Sequence, residues 1–232
     1  MKGIKVAEPR HKILDIESPM AIELRRIMIR LNRELDFDRK RCVLITSAER
    51  GEGKSLFALN FSLVLASHMK KNILLVDGDM RRPVQHSAFD VPITPGLSDV
   101  LSGSVDSVKP VKTYMDNLDF LPAGTMADQP SHLLDTQKLE TVFGQYKGDY
   151  DIVILDCPPV VPVSDTLLFN EIADGILYLV MAGRTPSVLA KRGVDILKGV
   201  GANIIGVVAN NLAEVLPYFY GHKHYGYGGK KK

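Results

Sequence analysis

The run Cys42-Val43-Leu44-Ile45-Thr46, Ser47-Ala48-Glu49-Arg50-Gly51-Glu52-Gly53-Lys54-Ser55, Leu56-Phe57-Ala58-Leu59-Asn60 is continuous, and its reading decides the fold. An apolar stretch typical of a buried strand breaks into a glycine-bearing turn ending in Gly-Lys-Ser, and a helical apolar pattern follows at once. Such a turn curls so that successive backbone N–H groups face inward toward phosphate oxygens. Gly51 and Gly53 supply the conformational freedom. The helix beginning near Lys54 adds its unpaired N–H groups and positive dipole end, with the Lys54 ammonium reaching for the β and γ phosphates. Ser55 is placed to hold Mg²⁺ through its hydroxyl. Ala48 stands where the usual pattern has its first glycine.

Working outward, the chain has 232 residues, 45% hydrophobic and 24% charged, with a net charge of +2. That describes one globular domain with a full core. The small net charge and the lack of a basic-aromatic pattern argue against a nucleic-acid partner. Cys42 and Cys157 lie beside apolar strand runs, where a free thiol acts as a small hydrophobe, and no disulfide or metal-ligand spacing is visible. No apolar run approaches the ~20 residues that span a bilayer, so a soluble protein is expected.

Upstream, residues 1–17 read as an extension, and Ser18-Pro19 suits the cap and first position of a helix. Leu24, Ile27, Met28, Leu31 and Leu35 form its apolar stripe, opposite Glu23, Arg26, Arg30 and Arg33. Downstream, a helix to about Met69 leads into Asn72-Ile73-Leu74-Leu75-Val76-Asp77-Gly78-Asp79-Met80-Arg81-Arg82-Pro83. Asp-Gly also suits a hairpin turn, but no second strand follows in register. Asp77 and Asp79 instead emerge at the carboxyl end of a parallel strand, where α/β sheets place their ligands, with Arg81 or Arg82 facing phosphate oxygens.

Residues 86–103 read as a loop with one small helix, and Asn117 to Gly124 as a short strand and turn. A helix is expected from about His132 to Tyr146. Asp151-Ile152-Val153-Ile154-Leu155-Asp156-Cys157-Pro158-Pro159 is a third strand ending in a carboxylate, suited to positioning Mg²⁺ or to capping the next turn. A helix from Ser164-Asp165 to Ile172, a strand from Gly175 to Met181, a helix from Ser187 to Val200 and a strand from Ile204 to Ala209 complete the alternation. Asn210-Asn211 close it, as turn residues or as contacts to a nucleotide base. Continuous apolar strands alternating with helices predict an α/β fold: a parallel sheet covered by helices on both faces. The folded core is expected over 18–212, with a tail over 213–232. Tyr218, Tyr220, Tyr225 and Tyr227 of that tail are half of the chain's 8 tyrosines.

The phosphate loop, the Asp77 to Pro83 stretch, Asp156-Cys157-Pro158-Pro159 and the tyrosine-rich tail together resemble the bacterial tyrosine kinase family, whose P-loop NTPase fold is related to the MinD and ParA ATPases. Gly96-Leu97-Ser98-Asp99-Val100-Leu101, Gln129-Pro130-Ser131 and Val163-Ser164-Asp165 extend the likeness. The resemblance implies ATP and Mg²⁺ as ligands. Ala48, Gly51, Glu52, Gly53, Lys54, Ser55, Leu56 and Asn210 would bind the nucleotide. Ser55 and Asp156, with Asp77 through water, would position Mg²⁺. Asp79 is the implied base for an incoming phenol and Arg81 a phosphate clamp, so that Lys54, Asp77, Asp79, Arg81 and Asp156 form the catalytic set. The four tail tyrosines would be phosphoacceptors in trans, in the service of capsule or exopolysaccharide synthesis.

The same resemblance implies partners. They are a membrane-spanning activator or polysaccharide co-polymerase, further copies of the chain in a ring-like oligomer, and a cognate tyrosine phosphatase. The expected location is the cytoplasm, at the inner face of the membrane. Ring assembly in the family uses a Glu-x-x-Arg-x-x-Arg face on the first helix, and the matching places here hold Ile22, Arg25 and Met28. The competing class, an ATPase switch without kinase activity, shares the nucleotide site but gives no reason for clustered tyrosines.

Overall fold

The computed structural model describes residues 18–127 and 129–212. The first helix, α1 (Pro19–Leu35), begins where Ser18 Oγ accepts the Ala21 N–H at 3.2 Å, with Pro19 in the first turn, and ends at Asp36 in a left-handed conformation. Then follow β1 (Arg41–Ser47), α2 (Lys54–His68), β2 (Ile73–Asp77), α3 (Gln85–Phe89), α4 (Leu97–Ser102), β3 (Val111–Lys112) and β4 (Leu118–Leu121). The second half comprises α5 (Thr136–Asp149), β5 (Ile152–Asp156), α6 (Asp165–Phe169), β6 (Gly175–Met181), α7 (Ser187–Gly199) and β7 (Ile204–Asn210), with 3₁₀ turns at Pro130–His132 and Asn170–Ile172.

The strands form one seven-stranded sheet in the order β3-β4-β2-β5-β1-β6-β7. All pairings are parallel except β3 with β4. The chain leaves β1 in one direction to reach β2 and later returns on its other side to β6. This reversal opens the crevice in which such sheets bind ligands. Alternate strand residues feed two cores, one on each face. Cys42, Leu44, Leu74, Val76, Val153, Leu155, Ile176 and Tyr178 pack with α4, α5 and α6. Val43, Ile45, Ile73, Leu75, Ile152, Ile154, Leu177 and Leu179 pack with α1 and α2. The continuous apolar strands therefore come from burial on both sides, as expected.

Three expectations of local structure are corrected. The loop over 86–103 carries two short helices, α3 and α4, because Asp77 at the end of β2 accepts the N–H groups of Val84 (3.1 Å) and Gln85 (3.0 Å) and so caps α3 from outside its own segment. The helix expected from His132 starts at Thr136, where the Asp135 carboxylate accepts the Lys138 N–H at 3.1 Å. The helix expected from Asp165 to Ile172 breaks into α6 and a 3₁₀ turn. The sheet also carries an antiparallel edge strand, β3, of two residues, too short to leave a pattern in the sequence. The expected extension and tail lie outside the described residues. Among the described residues no helix is long and apolar enough to cross a membrane.

Candidate active site

Three strand ends meet at the carboxyl edge of the sheet. After β1 the chain turns through residues 48–53 and enters α2 at Lys54. Gly51 (φ +77°) and Gly53 (φ +86°) are left-handed, the conformation that turns their neighbours' N–H groups into an anion cradle. Ala48 is buried and has no positive φ, so alanine serves there as well as glycine would. Lys54 is 7% exposed at the helix start.

The loop is braced by residues distant in the chain. Glu52 Oε2 accepts the Glu49 N–H at 2.6 Å, Glu52 Oε1 accepts the Thr185 hydroxyl, and Glu52 O accepts from Asn210 Nδ2 at 3.0 Å. Thr185 Oγ1 in turn accepts the Met181 N–H at 2.9 Å. Glu52, 2% exposed, thus joins the phosphate loop to the ends of β6 and β7, and the Asn210 carboxamide reaches the loop backbone. Leu56 points outward, 58% exposed.

A methyl group on Gly53 would overlap Asn210 Nδ2, whereas one on Gly51 would lie 3.3 Å from the tip of Arg184. Both substitutions force alanine into a left-handed conformation, at about 1–2 kcal/mol. Gly53→Ala also evicts the Asn210 carboxamide from Glu52 O. It is therefore expected to lower the melting temperature and the ATP affinity more than Gly51→Ala does, as thermal denaturation and nucleotide titration would measure.

Asp77 and Asp156 are register partners on β2 and β5 and are 0% and 1% exposed. Asp77 accepts three backbone N–H groups, from Asp79 (3.3 Å), Val84 and Gln85. These organise the segment that carries Asp79, Arg81 and Arg82. Burial, and then the Asp156 charge, push Asp77 well above the usual carboxylate range against those bonds. Burial pushes Asp156 up to about 6, and the Ser55 hydroxyl, the Gln85 carboxamide and the Lys54 ammonium oppose that rise.

Gln85 Nε2 donates to Asp156 Oδ2 at 2.9 Å, while Asp156 Oδ1 is buried without a hydrogen-bond partner. A buried carboxylate oxygen left without a donor is suited to a cation or an ordered water. Ser55 and Asp156 therefore fit Mg²⁺, which keeps waters and phosphate oxygens in its shell and needs no all-protein cage. Indeed no group of three or more His, Cys, Asp or Glu converges among the described residues.

Asp79 is partly exposed, and its Oδ1 accepts the Arg82 N–H at 3.0 Å. Arg81, expected to face phosphate oxygens, is held by Asp165. Its Nε donates to Oδ2 at 2.7 Å and its Nη2 to Oδ1 at 3.1 Å, at the start of α6. The structure therefore gathers Lys54, Ser55, Asp77, Asp79, Arg81 and Asp156 around one crevice. It adds Gln85, Asp165, Thr185 and Arg184, none of which sequence reasoning assigned to the site. Gln85 reaches Ser55 and Asp156 across 30 and 71 residues of chain, and no local pattern signals such contacts.

Comparison with known proteins places the chain in a family and a fold. Residues 40–197 match the AAA domain family. Over 206 residues the chain is 33% identical to the tyrosine-protein kinase YwqD of Bacillus subtilis, covering 88% of this chain and 84% of that protein. It is 32% identical over 173 residues to the putative tyrosine-protein kinase CapB of Staphylococcus aureus, covering 73% and 75%. Among solved structures, the chimerical protein CapA2B2 superposes with a TM-score of 0.78 at 31% identity, over 84% of this chain and 86% of that one. The septum site-determining protein MinD of Pyrococcus horikoshii, complexed with Mg-ADP, gives 0.60 at 25% identity, over 73% and 70%.

Proposed function

The chain belongs to the bacterial tyrosine-protein kinases of capsule and exopolysaccharide synthesis, and we propose that it moves the γ-phosphoryl group of ATP onto the tyrosines of its own carboxyl-terminal segment in a neighbouring copy. The observation that carries the acceptor assignment is the state of the other tyrosines. Tyr146 donates its hydroxyl to Val108 O at 3.1 Å, Tyr150 to Asp119 Oδ2 at 2.6 Å and Tyr178 to Ala190 O at 3.0 Å. Tyr146, Tyr150 and Tyr178 therefore have engaged hydroxyls, burial raises the pKa of each, and Tyr114 is half-buried with its pKa raised by burial as well. The remaining phenols are Tyr218, Tyr220, Tyr225 and Tyr227, all outside the described residues.

Phosphoryl transfer needs positioning and charge neutralisation more than covalent chemistry. The loop amides between Gly51 and Ser55 and the Lys54 ammonium bind and orient the phosphates. Ser55 and Asp156 would hold Mg²⁺, which would supply neutralisation of the phosphate charge there. Asp77 supports them from the adjacent strand. Asp79, at the open side of the crevice, takes the phenol proton as base, and Arg81, anchored on Asp165, is a fixed positive charge beside the transferring group.

A kinase of this kind works at the inner face of the membrane with a membrane-spanning activator, assembles with further copies of itself, and is reset by a tyrosine phosphatase. The chimerical CapA2B2 relative fits a chain that works joined to a second polypeptide. Glu23 and Arg26, paired at 2.7 Å on α1, with Arg30 beyond them, offer a charged face for self-association in place of the one that Ile22 and Met28 interrupt.

Phosphatase-treated protein incubated with Mg-ATP is expected to gain successive phosphoryl masses by intact-mass spectrometry. Changing Tyr218, Tyr220, Tyr225 and Tyr227 to Phe should remove them. Additions that persist undiminished in that variant would refute the tail as acceptor.

A further inference from the structure

Gln85 opens α3 and is 2% exposed. Both hydrogens of its carboxamide nitrogen are used inside the site, one on Ser55 O and one on Asp156 Oδ2, each at 2.9 Å. Its backbone N–H donates to Asp77 Oδ2 at 3.0 Å. One residue therefore touches the phosphate loop, the carboxylate ending β5 and the carboxylate ending β2. Methionine would fill the same volume and, being apolar, would suit a buried position better if volume were the only requirement. A buried carboxamide is kept only where its hydrogen bonds are made.

The geometry gives those bonds a purpose. Gln85 holds Asp156 Oδ2 and leaves Oδ1 as the carboxylate oxygen without a hydrogen-bond partner, open toward a further ligand. The second hydrogen fixes the backbone of Ser55, whose hydroxyl is the other protein group suited to the same cation. We propose that Gln85 is a positioning residue of the kinase: it sets the orientation of Asp156 and its distance from Ser55, so that a hydroxyl from the start of α2 and a carboxylate from the end of β5 converge on one divalent cation. This rests on the reading of Ser55 and Asp156 as the Mg²⁺ ligands. Residues that orient metal ligands without touching the metal typically govern about 10–100-fold in metal affinity.

The test is a Mg²⁺ titration of ADP binding to the full chain, with steady-state autophosphorylation followed against free Mg²⁺. Gln85→Met keeps volume without the donors, and Gln85→Asn keeps the amide but withdraws it by one methylene, so one can be read if the other folds poorly. The expected result is ADP affinity without Mg²⁺ within about twofold of the wild type, a Mg²⁺ midpoint raised about tenfold or more, and kcat largely restored at saturating Mg²⁺. Wild-type Mg²⁺ midpoints in both variants, or an equal loss of ADP affinity with and without Mg²⁺, would reduce Gln85 to packing and overturn the proposal. A wild-type protein whose ADP affinity ignores Mg²⁺ would overturn the underlying metal reading instead.

Discussion

Lys54→Met is expected to abolish autophosphorylation while leaving the fold intact. Lys54 sits at the first turn of α2, 7% exposed, where its ammonium and the helix N-terminus would act on the same phosphates. Methionine matches the stem in length and apolar character, so packing against the loop survives and only the charge is lost. Removing one preorganised charge-stabilising group typically costs about 10²–10³ in rate. Here the loss is compounded, because the Lys54 ammonium also favours the ionised form of Asp156. Intact-mass spectrometry over a time course should show no phosphoryl addition in the time the wild type is fully modified. The melting temperature without nucleotide should match or exceed that of the wild type, while the rise produced by Mg-ADP disappears. A variant that keeps phosphorylating at the wild-type rate would remove Lys54 from the site.

Asp156→Asn is expected to have two effects of opposite sign. Activity should fall on the order of 10²-fold or more, since the carboxylate proposed to hold the cation against the phosphates is lost. Stability without nucleotide should move the other way as pH rises. The ordinary carboxyl pKa of 3.8 is raised to about 6 in the fold, so the folded state favours the protonated form. Well below pH 3.8 both folded and unfolded chains are protonated and the group contributes nothing. Between there and about pH 6 the unfolded chain releases its proton first, and folding loses free energy as pH rises. Above that range the full penalty applies, on the order of 3 kcal/mol.

Asparagine does not ionise, so its stability relative to the wild type should improve between pH 4.5 and 7.5 by an amount of that order. Chemical unfolding of both proteins at the two pH values measures the double difference. A difference independent of pH would mean that Asp156 is ionised at no cost and that burial does not govern it. Mg-ADP should stabilise the wild type at pH 7.5 and the variant much less, since the strained carboxylate is what the cation relieves.

The phosphate loop, the core strands, with aspartates at the carboxyl ends of β2 and β5, and the parallel, doubly covered sheet were all legible in the sequence. Each leaves a local mark: a glycine spacing that only a tight anion-binding turn requires, an apolar run buried on both faces, a carboxylate where such a run stops. Helix starts were legible at α1, where Ser18-Pro19 stands beside the helix, though the adjacent Asp135 cap did not mark the start of α5. They were not where the cap comes from elsewhere, as when the Asp77 carboxylate caps α3 from the end of β2.

The sequence alone determined that this chain folds around a nucleotide-phosphate site of the tyrosine-kinase type. Tertiary structure alone decided how that site is held. It placed Gln85 between Ser55 and Asp156, Thr185 and Asn210 against Glu52, and Asp165 under Arg81. These partners meet only because the chain reverses direction about β1 and brings the ends of separate strands to one edge. A single side chain supplying a hydrogen bond across that edge has no neighbours in sequence to announce it, and its identity is set by what burial leaves unpaired.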